Sequence, residues 1–188
     1  MTEKTPTEIL EEEHRVIEKV VGAMAVIAET LDQGGHVEVD TLRDVAAFMR
    51  TDADQCHHGK EETHLFPALE QKGVPSRGCP VGALLQEHKA GRALVAAFTE
   101  AVNQFAGGDD SKRDAVISSL RGLVALYPGH IWKEDYLLFP MANKVLSPDD
   151  QTDLRERFEA VEVSVGHDVH HRFEQMAERL ASVLGSRS

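Results

Sequence analysis

The chain contains a copy of part of itself, and that copy constrains the fold more than any other feature. Laid together without a gap, His57–Pro67 (HHGKEETHLFP) matches His130–Pro140 (HIWKEDYLLFP), with six of the eleven positions identical. Glu62 opposite Asp135 keeps its charge. The two copies are 73 residues apart, as are Gly34-Gly35 and Gly107-Gly108. At an offset of 74, Glu13-His14-Arg15 matches Glu87-His88-Lys89 and Leu10 matches Leu84. A unit repeated at this distance, with a glycine pair in its middle, reads as a helical hairpin and its copy.

The periodicity is helical throughout. Leu10, Ile17, Val21, Met24 and Leu31 form one stripe at spacings of three and four; Leu84, Val95, Phe98 and Val102 form another. Thr5, Pro6 and Glu8 carry the signals of a helix start, with Glu8 closing a capping box. The first helix is expected to run to about Asp32, the second from an Asp40 cap to Lys72, the third from Pro80 to Phe105, and the fourth to Val145. A fifth, capped by Ser147-Pro148, is expected to end near Leu184. Pro67, Pro128 and Pro140 fall inside these helices, where each is expected to kink or end one. The expected fold is all-α: a four-helix up-down bundle of two repeated hairpins (core 6–145) plus a C-terminal fifth helix (147–185), one domain over 1–188.

Composition narrows the function classes. The net charge of −12 argues against nucleic acid and anionic membrane surfaces as partners. No apolar run approaches a membrane span, and MTEKTPTEILEEEH lacks a signal-peptide core, so a cytoplasmic location is expected. Cys56 and Cys79 cannot make an all-cysteine zinc site, which needs four. The outlying count is ten histidines.

Position within the hairpins gives those histidines a use. His14 lies 20 residues before Gly34 and His57 lies 22 after Gly35; the copy gives 19 and 22 for His88 and His130. At about 1.5 Å per residue, each hairpin sets two histidines at one level, about 30 Å from its turn. Glu61 and Glu134 follow His57 and His130 by four residues, one turn along on the same face. Packing the hairpins together gathers four imidazoles and two carboxylates among apolar stripes, His130 and Glu134 lining up with Leu126, Leu137 and Met141. Burying them without partners costs several kcal/mol each. A bound cation removes the objection, and this donor set suits iron or manganese better than structural zinc. Shared between two metals bridged by both carboxylates and an oxo or hydroxo group, it leaves one open position on each. His58–Glu62 has the same spacing, but only His57–Glu61 keeps the distance to Phe-Pro found in the second copy, so His58 and Glu62 are placed at the surface or directly behind the ligands.

Two His-x-x-x-Glu motifs, each followed by Leu-Phe-Pro and each preceded by a matched lone His, make the chain resemble the hemerythrin-like (HHE cation-binding) family over about residues 6–145. The resemblance implies a four-helix bundle with a non-haem, carboxylate-bridged centre of two iron ions, oxo- or hydroxo-bridged. His14, His57, His88 and His130 would be ligands, and Glu61 and Glu134 the bridges. It implies dioxygen, nitric oxide or peroxide as the small-molecule partner, with an unnamed redox partner, or else iron storage or peroxide decomposition. Reversible oxygen carriers have a further histidine four residues after the third; here that place is Arg92. His170, in line with Phe173, Ala177 and Leu180 on the expected fifth helix, is a candidate to supply the missing nitrogen. His64 is a candidate neighbour of the site, Cys56 an oxidation sensor or a small buried hydrophobe, and the acidic runs Glu11–Glu13 and Asp149-Asp150 are read as solvated helix faces.

Overall fold

The structure is a computed structural model describing residues 4–78 and 80–185, with the side chains of 167–170 and 182–185 outside the description. It is all-helical, and no strand occurs among the described residues. The elements are α1 (Pro6–Asp32), α2 (Val39–Arg50), α3 (Phe66–Gln71), α4 (Val81–Ala106), α5 (Arg113–Lys133), α6 (Phe139–Val145), α7 (Pro148–Val165) and α8 (His167–Gly185). Helix α1 packs along α5 and α8, and α4 packs along α5 and α2.

The starts and stops follow local chemistry. Thr5 and Glu8 form the expected capping box at α1, and Ser147 and Asp150 form one at α7. Asp150, read as part of a solvated face, is partly exposed and also caps α7. Helix α2 begins one residue before Asp40, with no side-chain cap. Helices α1 and α4 end alike. Gly34 and Gly108 take positive φ (76° and 92°), and the next N–H reaches back to Thr30 or Gln104. Gly34 thus corresponds to Gly108, an offset of 74.

Two departures from the expected helices matter. The C-terminal segment is two helices, because Gly166 adopts φ 118° and ψ 125°, which α-helix does not accommodate. The second and fourth rods are not α-helical throughout. Thr51–His58, Glu61–Leu65 and Glu134–Leu138 are π-helical, with i→i+5 hydrogen bonds. The latter two end at Leu-Phe-Pro in each copy, so Pro67 and Pro140, which have no N–H to give, enter the first turn of α3 and α6. The wider turn shifts the register: Leu137, expected on the inner stripe, is 46% exposed, and Leu138 is fully buried instead.

Two apolar clusters sandwich a polar layer. One holds Ile17, Met24, Phe48, Phe98, Leu120 and Phe173; the other holds Leu10, Leu65, Phe66, Leu84, Leu138, Phe139 and Phe158. His14 on α1 lies in sequence between Leu10 of one cluster and Ile17 of the other.

Candidate metal centre

The polar layer is where the repeat converges. Helix α1 supplies His14, the first π-helical stretch His57, and the second Glu61; α4 supplies His88, α5 His130, and the third π-helical stretch Glu134. All six side chains are buried. His14 Nε2 lies 3.0 Å from His57 Nε2 and 3.2 Å from Glu134 Oε2. His88 Nε2 lies 3.5 Å from Glu61 Oε2 and 3.6 Å from Glu134 Oε1. His130 Nε2 lies 3.3 Å from Glu134 Oε1, and His57 Nε2 lies 3.9 Å from Glu61 Oε2. Three donor sets each fall within 4.8 Å: His14, His57 and Glu134; Glu61, His88 and Glu134; and His58, His88 and His130.

The other nitrogen of each ring is already engaged. His14 Nδ1 is held by Asp135 at 2.6 Å and His88 Nδ1 by Glu62 at 2.6 Å. His57 Nδ1 is held by Glu13 at 2.9 Å and His130 Nδ1 by Glu87 at 3.1 Å. The pattern obeys the repeat. The acid before each lone histidine holds the partner histidine of its own hairpin, and the acid after each glutamate holds the lone histidine of the other. Lys60 bonds Glu13 as Lys133 bonds Glu87. Phe139 stacks on His14 at 5.5 Å between centroids and Phe66 on His88 at 5.9 Å. A carboxylate on Nδ1 fixes ring and tautomer and turns Nε2 inward as a donor to a metal.

The decisive observation is what the inward atoms lack. Both oxygens of Glu61, both of Glu134, and Nε2 of His58, His88 and His130 are buried with no hydrogen-bond partner among the described residues. Buried polar groups are seldom left so, and seven facing one another is the arrangement a cation would satisfy. The donors fit a metal pair, as nitrogen and carboxylate oxygen together. In agreement, residues 5–142 match the family described as Hemerythrin HHE cation binding domain.

The chain belongs to the hemerythrin HHE cation-binding family.

Its similar curated relatives include an uncharacterized protein of Mycobacterium bovis and two of Mycobacterium tuberculosis strains, each 27% identical over 169 residues. The alignment covers 90% of this chain and 63% of each relative, so the chain spans about 63% of the length of the curated relatives it matches. No solved structure matches it.

The metal-free charge state of this hemerythrin-family layer is set by competing effects. Burial works against an imidazolium at His14, but the carboxylates of Asp135 and Glu134 prevail and raise its pKa to about 9. His88 reaches about 9 in the same way, burial being outweighed by Glu134, Glu62 and Glu61. Burial drives His57 and His58 well below the usual imidazole range and lowers His130. Burial and the adjacent Glu134 push Glu61 well above the ordinary carboxyl range; at Glu134 burial is overcome by His130, His14 and His88, which hold it well below. Protons on His14 and His88 thus supply positive charge to the metal-free layer.

The remaining sequence candidates divide clearly. Arg92 does not enter the layer; it bonds Asp54 and Glu62 at 2.7 Å each. His64 is half-buried, and burial, aided by Arg157 of α7, lowers its pKa. The side chain of His170 lies outside the described residues, as does Cys79. Cys56 is a free buried thiol whose pKa burial pushes to about 12, which suits a small hydrophobe and not a thiolate sensor. Tyr127 is buried beside His130, with ring centroids 6.1 Å apart, whereas Trp132 and Tyr136 stack on each other at the surface. One assignment needs correction. Glu13 is not a solvated face: it is 5% exposed and holds His57 and Lys60. Of the two places read for His58, the surface is excluded: it is 3% exposed, its ring stacked 3.8 Å from that of His88. The adjacent His57-His58 pair was the available signal. An ideal α-helix directs neighbouring residues to different faces, but both lie in a π-helical stretch, whose wider turn lets two successive residues share a face.

Proposed function

We propose that the chain is a non-haem di-iron protein that binds or reacts with dioxygen, nitric oxide or peroxide. Glu61 and Glu134 would bridge the metals, and His14, His57, His88 and His130 would ligate them. The observation that carries this reading is the set of facing, buried, partnerless atoms on Glu61, Glu134, His88 and His130. A pair of redox metals held there would supply electrons and open coordination to a small molecule. The chain's residues do the rest. Asp135, Glu13, Glu62 and Glu87 hold the rings in place, and Phe66, Phe139 and the flanking apolar layers exclude water. The same reading takes α1, the rod 39–71, α4 and the rod 113–145 as an up-down four-helix bundle with α7 and α8 laid against it. It also takes the protein as cytoplasmic and served by a separate redox partner. No helix among the described residues is long and apolar enough to cross a membrane.

The test is metal content and optical spectrum of aerobically purified protein and of His57→Ala. About two irons per chain with an oxo-to-iron charge-transfer band, lost in His57→Ala, is the expected result. Spectral titration of the reduced protein with each of the three small molecules then identifies the one handled. One zinc, or no metal after iron supplementation, overturns the reading.

A further inference from the structure

We propose that the stacked pair Trp132 and Tyr136, with the carboxylates beside it on α1, is the docking face for a basic one-electron carrier protein, which exchanges electrons with the metal layer by way of Asp135 and His14. The inference rests on the di-iron reading above and names the kind of redox partner that reading calls for.

The face is built from side chains the fold does not require. Of the five large apolar side chains exposed among the described residues, three fall within six positions: Trp132, Tyr136 and Leu137, at 52%, 66% and 46%. Trp132 and Tyr136, four residues apart, stack with ring centroids 5.8 Å apart. Their repeat counterparts are Gly59 and Thr63, so neither aromatic ring is needed to close the bundle. The counterpart of Leu137 is His64, which is half-buried and feels Arg157 and Asp153 of α7. Helix α7 thus lies against this face of the first hairpin, while the second hairpin presents its own to solvent. Exposed aromatic side chains grouped in this way mark protein interfaces.

Charge selects the partner. Tyr136 borders a surface depression of about 610 Å³, where four carboxylates, Glu8, Glu11, Glu12 and Asp135, meet two cations, Lys4 and Arg15. Arg15 also serves Glu18, so the balance is negative. Burial and the like charges of Asp135 and Glu8 raise the pKa of Glu11, a sign of that crowding. A second copy of this chain, at a net charge of −12, would bring like charge against the face; a protein with a basic surface is drawn to it. Electron-transfer encounters use small contacts of this kind.

The connection inward is short. Asp135 precedes Tyr136 in the chain, is partly exposed, and accepts the hydrogen bond of His14 Nδ1 at 2.6 Å. A carrier docked on the aromatic pair donates one electron, which takes one iron(III) to iron(II). The carrier's own centre is oxidised by one electron, and no bond forms or breaks. Passage in the reverse direction balances in the same way.

The test uses the full chain and cytochrome c, a basic haem protein, as the probe. Trp132 is the chain's single tryptophan, so its indole N–H resonance reports docking in the metal-free protein. The resonance is expected to shift on adding oxidised cytochrome c at low salt and to return in about 1 M salt, where charges are screened beyond about 3 Å. Electron flow is read separately, as haem reduction by the reduced, iron-loaded protein, one iron(II) being oxidised for each haem iron(III) reduced. Trp132→Ala with Tyr136→Thr, and Glu11→Lys with Glu12→Lys, are each expected to slow it about ten-fold or more, with the optical spectrum of the iron centre unchanged. Glu29→Lys with Glu38→Lys, beside the Gly34 turn, changes net charge as much and is expected to keep the wild-type rate. Equal rates in all these proteins, or an indole resonance that does not move, overturn the inference and leave the di-iron reading standing. A shift that grows with the chain's own concentration, with no cytochrome c added, gives the face to a second copy and overturns it as well. A wild type that holds no redox-active metal overturns both.

Discussion

Asp135 accepts a hydrogen bond from His14 Nδ1 at 2.6 Å, across 121 positions of sequence. Glu62 does the same for His88 in the opposite sense, so the hairpins exchange their orienting acids. Replacing Asp135 by Asn or Glu62 by Gln keeps size but removes the charge that aligns the ring. Metal affinity is expected to fall about 10- to 100-fold with the helical content intact. Competitive titration against a chelator of known affinity measures it; unchanged affinity in both variants would show that packing alone orients the rings.

Lys60 and Lys133 are repeat counterparts with different surroundings. Lys60 is fully buried between Glu13 and Glu162, with its ammonium over the Phe158 ring, whereas Lys133 is 34% exposed beside Glu87. Lys60→Met leaves a buried carboxylate without its cation and is expected to cost about 3–5 kcal/mol. Lys133→Met, in a screened pair, should cost at most about 1 kcal/mol. Urea unfolding of the metal-free proteins decides it, and equal losses would contradict the difference in burial.

Metal loading should be linked to proton release. His14 and His88 have pKa values raised to about 9, so each carries a proton at pH 7 in the metal-free protein. A metal takes the deprotonated ring, so affinity should rise with pH up to about 9. Release at pH 7 should be on the order of one proton per metal ion, more where Glu61 also gives one up. Calorimetry in buffers of different ionisation enthalpy counts the protons. Metal uptake with no proton released would mean these rings are neutral before loading.

Gly166 separates α7 from α8 at φ 118° and ψ 125°, a region that only glycine occupies freely. Gly166→Ala is expected to cost about 1–3 kcal/mol, read as a lower melting temperature with metal and without. An unchanged melting temperature would mean that the break lies elsewhere.

Legibility in the sequence followed the period being read. The repeat placed both hairpins and brought His14 level with His57, because rise per residue along a helix depends little on detail. Period 3.6 fails where the helix widens, and so Leu137 was expected inside; the register of the copy, which separated His57 from His58, carries no information on how deeply His58 is buried. Gly166 carried no mark of its positive φ. The acids Glu13, Glu62, Glu87 and Asp135 sit next to His14, Glu61, His88 and Glu134 in sequence, yet an acidic residue on a helix reads first as solvated. Their inward use appears only once the hairpins are packed.

The exchange of acids between hairpins also bears on time. Since His14 and His88 are each steadied from the opposite hairpin, the inner layer exists only while the two halves stay closed. An ion seated there would depart at the pace at which the halves part, and its residence time would follow the slowest amide exchange in α1 and α4. Such a centre holds its cargo by the slowness of its own opening, whatever the equilibrium affinity.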